Sequence, residues 1–409
     1  TEHQGEDQVD HKPHAQDSGA GKEKSYGLLT VAADAKCASR EDTQVGQKKD
    51  HTLRQDRTVR MVFETVEKMR KYGLMGIQFP KELGGSGGDT ICYSIAIEEA
   101  SRFCGTTGCI ISSHATLGAW PIFKYGTAEQ KEKWLRPLID GHKTGAFGLT
   151  EPNAGTDSAA QQTVAVKQED GSYVINGSKV FITGGGIADT YVIFAMTDKS
   201  ARNHGISAFI VDKDDPGFSI GKIEHKMGIR GSSTCELIME DCRIPADRLL
   251  GKKGKGFNIA MHTLDGGRIG IAAQALGIAE GALETTVNYV KERKQFGRSI
   301  AQFQNTQFVL ADLATKIEAA KLLVYKAARK KDEYQSGAKV SYSVEAAMAK
   351  LYAAEVAMEV TTKCVQLHGG YGYIKEYDVE RMMRDAKITE IYEGTSEVQR
   401  MVISANLLK

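Results

Sequence analysis

One carboxylate, Glu393, stands directly before a glycine in the run Tyr392-Glu393-Gly394-Thr395. A glycine lets the chain turn sharply, and such a turn could aim the Glu393 side chain inward. A carboxylate held in this way can act as a general base on a bound substrate. Taken by itself, however, a glutamate is more often exposed and solvated, so the catalytic interpretation needs further support.

Two other segments carry small and polar residues that could approach a ligand. Residues 147–157 (FGLTEPNAGTD) combine glycines, hydroxyls and acids where helical patterning gives way to β patterning. Residues 366–373 place a histidine and three glycines after a helical stretch. Glycines commonly end helices, but they also let backbone lie close to a ligand. Each segment alone is an ordinary loop more often than a cofactor site, although domain junctions favour ligands.

The motifs of several other enzyme classes are missing from the sequence. Residues 83–88 and 251–256 are glycine-rich, but neither has the spacing of a dinucleotide or Walker motif. No Gly-x-Ser-x-Gly elbow and no His-Glu-x-x-His helix occurs. The seven cysteines are scattered without a Cys-x-x-Cys pair, which argues against a zinc site or a disulfide framework. We therefore expect no metal site.

Length and composition limit the class of protein. A chain of 409 residues favours two or three domains, and 41% apolar with 26% charged residues is typical of soluble globular proteins. A net charge of +1 gives no support to nucleic-acid or membrane-surface binding. The sequence contains neither a membrane-spanning apolar run nor an initial signal pattern. We expect a reducing compartment, either a bacterial cytoplasm or a mitochondrial matrix.

Hydrophobic periodicity divides the chain into three regions. Residues 1–146 are expected to form a helical domain, 147–257 a β-domain, and 258–409 a helical bundle. The first 58 residues hold four of the ten histidines and show no helical period, so their structure is not predicted. Three apolar stripes indicate long helices in the last region. Their members are Leu276, Leu283, Val287 and Val290; Leu310, Leu313, Ile317, Ala320 and Val324; and Ala347, Leu351, Ala354 and Met358.

Local signals predict where some helices begin and end. Val62, Val66 and Met69 follow helical spacing, and Gly73 is a plausible stop. Residues 127–130, Thr-Ala-Glu-Gln, fit a capping box at a helix start.

Other signals predict strands and the turns between them. Asp170-Gly171 and Asn176-Gly177 are both predicted to be hairpin turns between β-type runs. Further strands are expected at 191–195, 206–211 and 236–239.

In this order and at this spacing, residues 149–157, 263–270 and 392–399 resemble the acyl-CoA dehydrogenase family, most of all its bacterial short-chain members. The resemblance runs from about Phe63 to Lys409. It implies an α+β multi-domain fold with an N-terminal helical domain, a middle antiparallel β-barrel-like domain and a C-terminal four-helix bundle. It also implies non-covalent FAD, a homotetramer, and an electron-transfer flavoprotein as redox partner.

The resemblance assigns roles position by position. The FAD contacts expected within one subunit are Phe147, Leu149, Thr150, Thr156, Phe181, Ile182, Thr183, Thr395, Ser396 and Glu397. The contacts expected to the FAD of a neighbouring subunit are Arg293, Phe296, Gln304, Gln366, Leu367, Gly369 and Gly370. The acyl-CoA contacts expected are Thr156, Asp265, Arg268 and Gly394. Arg293 suits a diphosphate because its planar guanidinium can bond two oxygens.

The resemblance also identifies the catalytic base. Some branched- and long-chain members of the family carry their glutamate at the position of Gly267, where a glycine cannot act as a base, so Glu393 is left. The implied reaction is oxidation of a short acyl-CoA, butyryl-CoA, to the trans-2-enoyl-CoA, or the reverse in an anaerobe. Two alternatives stay open: an acyl-CoA oxidase, and an inactive scaffold of the same fold. A scaffold would be expected to lose Glu393 or Arg293, and both are present.

Overall fold

The computed structural model describes residues 64–409. The predictions made for residues 1–58 and for Val62 lie outside this part of the chain. Residues 64–71 are helical, and Val66 and Met69 are buried, as the spacing predicts. The chain leaves this helix at Gly73, whose φ of +69° is the left-handed conformation that glycine favours at a helix end.

Helices dominate residues 64–139. They are α1 (Thr90–Phe103), α2 (Gly105–Ser112), α3 (Trp120–Tyr125), α4 (Ala128–Gln130) and α5 (Arg136–Ile139), with π-helical turns at Ser113–Ala119 and Lys131–Leu135. The predicted capping box is present. The Gln130 backbone N–H donates to Thr127 Oγ1 at 3.2 Å, and the Thr127 N–H donates to Gln130 Oε1 at 3.0 Å.

The middle of the chain folds into one eight-stranded sheet. Its strands are β1 (Gly145–Gly148), β2 (Val164–Lys167), β3 (Tyr173–Thr183), β4 (Thr190–Met196), β5 (Ile206–Asp212), β6 (Phe218–Ile223), β7 (Thr234–Ile244) and β8 (Leu249–Leu250). The order is β6-β7-β3-β2-β4-β5-β8, and β1 pairs with β4. Most pairs are antiparallel, as predicted, but β1 and β2 both lie parallel to β4.

One of the two predicted hairpins is wrong. Residues 170 and 171 do connect β2 to the antiparallel β3. Asn176 and Gly177, however, lie inside β3, where the register with β7 shifts and Gly177 has a φ of +145°. A side chain on Gly177 would overlap Thr163. Gly177 therefore forms a β-bulge, not a turn, and its lack of a side chain lets the backbone of Thr163 lie close to it.

The last region is built on three long helices. They are α6 (Gly256–Glu292), α7 (Gln304–Gln335) and α8 (Ser343–His368), followed by α9 (Val379–Lys387) and α10 (Ser396–Leu407). A short hairpin of β9 (Lys294–Gln295) and β10 (Arg298–Ser299) separates α6 from α7. The three predicted apolar stripes lie on α6, α7 and α8.

Helix α6 packs against α1 and α8, so it joins the first helical region to the last. It begins at Gly256, and β1 begins at Gly145, each two residues before the boundaries expected at 258 and 147. No helix between residues 64 and 409 combines the length and apolar character that a bilayer crossing demands.

Candidate active site

Glu393 lies in the turn between a short 3-10 segment and α10. It has a φ of +54°, and Gly394 follows with a φ of +92°. A positive φ is uncommon for a residue with a side chain and is found where the surrounding structure enforces it. The Glu393 Oε2 atom is buried and has no hydrogen-bond partner among the described residues. The turn therefore directs the carboxylate into the protein, as Gly394 suggests from the sequence.

The carboxylate points at α6. A Cβ added to Gly267 would overlap Glu393 Oε2 and lie 2.8 Å from Glu393 Cδ. The absence of a side chain at position 267 thus leaves room for the carboxylate. The two positions at which family members place a glutamate are therefore neighbours across the helix surface in this fold.

Charged groups surround the carboxylate on two helices. Burial raises the pKa of Glu393 to about 8, and the charges of Lys350 and Arg268 oppose that rise. Arg268 donates to Asp265 at 2.6 Å, and the Asp265 carboxylate also accepts from Ser343 at 2.6 Å. The predicted substrate contacts Asp265, Arg268 and Gly394 are thus brought together beside Glu393.

Two uncharged neighbours of Glu393 are tyrosines, each of which donates a hydrogen bond to another side chain. Tyr93 donates to Ser112 at 3.2 Å, and Tyr392 donates to Gln274. Burial raises the pKa of both tyrosines, so both remain neutral at physiological pH. Both hydroxyls therefore keep their protons beside Glu393, whose pKa is raised to about 8.

The sequence reasoning missed two residues that contact this turn. Lys350 Nζ donates to the Gly394 carbonyl at 2.8 Å, and Gln399 Nε2 donates to the same carbonyl at 2.8 Å. Both side chains are fully buried. The available signal was a lysine among the alanines of α8, because a charge inside an otherwise apolar helix needs a partner.

A second group of predicted residues lies on the sheet. The Val180 N–H donates to the Thr150 carbonyl at 2.9 Å, which places residues 147–150 beside residues 181–183. Phe181 is 65% exposed with a φ of +60°, although large apolar side chains are usually buried. These two segments present hydroxyls and an aromatic ring on one surface.

A buried ion pair holds this surface together. Lys179 Nζ donates to Glu151 at 2.7 Å, to the Leu149 carbonyl at 3.1 Å and to Gln161 at 3.1 Å. Burial lowers the pKa of Lys179 to about 8, whereas the Glu151 charge opposes that change. Glu151 also accepts from the backbone N–H of Thr163 at 3.0 Å. The pair thus fixes the path of residues 149–151 relative to β3.

Five of the contacts predicted in the last region, Arg293, Gln366, Leu367, Gly369 and Gly370, line a cavity of about 460 Å³. Its walls include Arg293 and the segment 366–370. The Arg293 guanidinium lies 5.0 Å from the centre of the Tyr371 ring. The His368 ring stacks on Tyr289 at 4.1 Å, and its Nε2 is buried without a partner in the described part of the chain. The cavity therefore offers a cation, an unpaired ring nitrogen and open glycine backbone.

Other predicted residues lie apart from this cavity. Phe296 is 94% exposed in the β9–β10 hairpin, and Gln304 begins α7. Neither residue lines the cavity of its own chain. Thr156 is exposed in the loop after residue 155. Thr395 is the N-cap of α10, where its Oγ1 accepts from the Val398 N–H at 3.4 Å, and residues 396 and 397 begin the helix.

Asp265 also lines a cavity of about 620 Å³ between α6 and the connection from α7 to α8. Aromatic and polar side chains form its walls. They are Tyr125, Asn203, Phe257, Asn258, Met261, His262, Tyr334, Val340, Ser341, Tyr342 and Ser343. Asp265, which pairs with Arg268, therefore lies in the wall of this cavity.

Comparison with known proteins identifies the class that this fold and site define. Three family domains match in order: the acyl-CoA dehydrogenase N-terminal domain over residues 43–142, the middle domain over 146–242 and the C-terminal domain over 254–408. The chain therefore belongs to the acyl-CoA dehydrogenase family, a class of FAD-dependent oxidoreductases. The predicted family, three-domain fold, enzyme class and cofactor are confirmed.

Within this family, the chain is similar to several individual proteins. A short-chain specific acyl-CoA dehydrogenase of Clostridium acetobutylicum is 62% identical, over 87% of this chain and 92% of that protein. A subunit of the caffeyl-CoA reductase–Etf complex of Acetobacterium woodii is 52% identical, over 85% of this chain and 90% of that protein. The structure of butyryl-CoA dehydrogenase from Megasphaera elsdenii has a TM-score of 0.88 at 48% identity, covering 98% of this chain and all of that one.

The residues present fit FAD on chemical grounds. Arg293 can bond a diphosphate in a bidentate manner. His368 Nδ1 lies 2.8 Å from the Cys364 carbonyl, and burial lowers the His368 pKa, so its free Nε2 is an acceptor suited to a hydroxyl or an amine. A Cβ at Gly369 or Gly370 would meet nothing, which leaves room for a ligand against the backbone.

Proposed function

We propose that this protein catalyses α,β-dehydrogenation of a short-chain acyl-CoA, most readily butyryl-CoA, with Glu393 as the catalytic base. One observation carries the proposal: the Oε2 atom of the Glu393 carboxylate is buried and unpaired, and it lies against a helix that has no side chain at position 267. Burying a carboxylate oxygen without a hydrogen-bond partner costs folding free energy, and such groups are found most often at functional sites. In a member of this family, that purpose is to remove a substrate proton.

Glu393 does the acid–base part of the reaction. Its raised pKa brings its proton affinity closer to that of a carbon acid, and its carboxylate takes the α-proton of the thioester. The electrons of the α C–H bond form the α,β double bond as the β-hydrogen departs with its electron pair. FAD, when bound, supplies the acceptor for that hydride. The products are the 2-enoyl-CoA and a protonated Glu393.

The thioester carbonyl must be polarised for its α-proton to be removed. The backbone N–H of Glu393 has no hydrogen-bond partner between residues 64 and 409, so it is available to donate to that carbonyl. A fixed donor at a developing enolate oxygen stabilises the transition state. The same turn that aims the carboxylate thus presents a donor beside it.

The remaining predicted residues would contact FAD or the acyl-CoA. Residues 147–150 and 181–183, with Thr156 and residues 395–397, would hold the FAD of their own subunit. Arg293, Phe296, Gln304 and segment 366–370 would hold the FAD of a neighbouring subunit in a homotetramer. The almost complete exposure of Phe296 supports this arrangement, because a large apolar side chain at a hairpin tip gains by burial against another chain. Asp265, Arg268 and Gly394 would contact the acyl-CoA, with the 620 Å³ cavity as its entry.

We also propose an electron-transfer flavoprotein as the redox partner. The relative from Acetobacterium woodii is a subunit of a complex that contains such a protein. That complex is named for a reduction, which supports operation of this chemistry in the reverse direction in an anaerobe. An acyl-CoA oxidase is the alternative, and release of peroxide under air without an added acceptor would identify it.

The test is anaerobic titration of the FAD-containing protein with acyl-CoAs of increasing chain length, followed by flavin absorbance. We expect bleaching with short chains and the strongest bleaching at four carbons. If the protein holds FAD and none of the acyl-CoAs bleaches it, the proposed function is wrong. Strong bleaching only with long-chain acyl-CoAs would agree with an acyl-CoA dehydrogenase but would refute a short-chain substrate.

A further inference from the structure

The turn that carries Glu393 needs an external support. Two successive residues, Glu393 and Gly394, have positive φ angles. For a residue with a side chain such a conformation costs on the order of 1–3 kcal/mol. The turn persists only if contacts from other elements stabilise it more than this cost.

Two buried side chains supply those contacts. The Gly394 carbonyl accepts one hydrogen bond from Lys350 on α8 and a second from Gln399 on α10, each at 2.8 Å. Gln399 also donates to the Glu393 carbonyl at 3.3 Å. Because Lys350 and Gln399 are both 0% exposed, water does not compete for these bonds. Lys350 differs from Gln399 in bringing a charge to the same carbonyl.

We propose that Lys350 positions the catalytic base: its ammonium group holds the Gly394 carbonyl, and thereby the turn that aims Glu393, while its charge keeps the Glu393 carboxylate ionised. The inference rests on the proposed function of Glu393. It adds a residue of α8 that touches neither substrate nor reacting atoms and acts through the turn.

The mutual influence of the Lys350 and Glu393 charges supports this role. Burial lowers the pKa of Lys350 to about 8, and the positive charge of Arg268 also lowers it. The charges of Glu393, Glu390 and Glu397 oppose this fall, and that of Glu393 opposes it most. Burial raises the pKa of Glu393 to about 8, and Lys350 opposes it more than Arg268 does. Each member of the pair therefore favours the charged form of the other.

The other groups that face Glu393 cannot replace Lys350. Arg268 on α6 already forms an ion pair with Asp265 at 2.6 Å. Tyr93 on α1 and Cys109 on α2 are buried, and burial raises the pKa of each, so both are neutral at physiological pH. Removing the Lys350 charge should thus leave less of Glu393 ionised near neutral pH.

The experiment measures the rate of flavin reduction by butyryl-CoA in anaerobic stopped flow from pH 6 to pH 10. The variants are Lys350→Gln, which removes the charge, and Lys350→Arg, which keeps it. The matched control is Lys331→Gln. Lys331 is also buried, and burial also lowers its pKa to about 8, but its Nζ donates to Gln78 at 3.2 Å and not to the Gly394 carbonyl.

We expect Lys350→Gln to move the midpoint of the pH profile up by about 1–3 units, the usual effect of a nearby opposite charge, and to slow reduction at pH 7 about tenfold or more. Lys350→Arg should keep the midpoint, and Lys331→Gln should follow the wild type. Coincident profiles for Lys350→Gln and wild type would overturn the proposal. So would an equal shift in Lys331→Gln, because the effect would then not be local.

Two further results would also test the proposal: loss of flavin from Lys350→Gln, and no reduction of the wild type. If Lys350→Gln does not hold flavin, Lys350→Arg carries the test: its midpoint should stay while its rate falls, because a guanidinium cannot reproduce the single bond from Nζ. A wild-type rate in Lys350→Arg would then refute the positioning role. If neither butyryl-CoA nor any other acyl-CoA reduces the wild-type flavin, the proposed function is wrong. If the wild type is reduced and the Lys350 variants match it in rate and in pH profile, the proposed function stands and the role of Lys350 is wrong.

Discussion

The Oε2 atom of Glu393 occupies the space in which a side chain at position 267 would have to lie. The carboxylate and Gly267 are 126 residues apart in sequence and meet only because α6 passes beneath the turn before α10. This relationship explains why a base in one of these positions requires a small residue in the other.

Replacement of Gly267 by Ala should therefore displace the base. The added Cβ would overlap Glu393 Oε2, and a displacement of about 1 Å can cost about 10²-fold in rate. Flavin reduction by butyryl-CoA measures the loss. The control is Gly266→Ala on the same helix turn, whose Cβ would lie 3.4 Å from the flexible end of Lys331. Equal rates for the two variants would contradict the assigned geometry.

The variant Glu393→Gln should keep FAD and bind acyl-CoA but lose reduction. The amide has nearly the same shape as the carboxylate and cannot accept the α-proton. A positioned base contributes about 10²–10⁴ in rate, so a loss of that size is expected. Binding is followed by the perturbation of the flavin spectrum on adding acyl-CoA, and reduction by stopped flow. Full activity in this variant would refute Glu393 as the base.

The dependence of activity on pH follows from the burial of Glu393. The oxidation requires the ionised carboxylate, and burial raises the pKa to about 8, so kcat/KM for butyryl-CoA should rise with pH through a midpoint near 8. Enoyl-CoA reduction requires the protonated acid and should instead fall above that midpoint. Steady-state rates between pH 6 and 10 with an artificial acceptor measure both. A midpoint for oxidation below pH 6 would be inconsistent with a buried base.

The ion pair of Lys179 and Glu151 should matter for stability and for flavin retention. Substituting Lys179 by Met leaves the buried Glu151 unpaired, and breaking such a pair typically costs about 3–5 kcal/mol. Urea unfolding measures the change, and the ratio of flavin to protein should fall because Leu149 loses its anchor.

The control for that variant is Lys213→Met. Lys213 pairs with Asp189 at 2.8 Å, but its side chain is about half exposed, and exposed pairs contribute about 0–1 kcal/mol. Comparable losses in the two variants would show that burial of the Lys179 pair is not the cause.

The exposed hairpin residue Phe296 tests the proposed homotetramer. Phe296→Ser should lower both the assembly state, measured by light scattering, and the flavin content, because the hairpin would contribute to a neighbour's FAD site. The exposed Val166→Ser on β2 is the control. A fully assembled, flavin-saturated Phe296→Ser protein would argue against this arrangement.

The sequence by itself determined the family and the order of the three regions, and it predicted Glu393 as the base. Periodicity located the long helices because a buried stripe at helical spacing leaves a clear pattern. The capping box at Thr127 was also visible, since both of its partners lie within four residues. Asn176-Gly177 was misread as a turn, because a bulge and a hairpin use the same residue types and differ only in what packs against them.

Only the tertiary structure decided the environment of the base. The overlap of Glu393 with position 267, the buried charge of Lys350 and the second hydrogen bond from Gln399 join residues that are far apart along the chain. No local pattern encodes such contacts, because they depend on how α6, α8 and α10 pack. The sequence therefore predicts which residue is the base, and the packing of these helices determines the direction and the proton affinity of the Glu393 carboxylate.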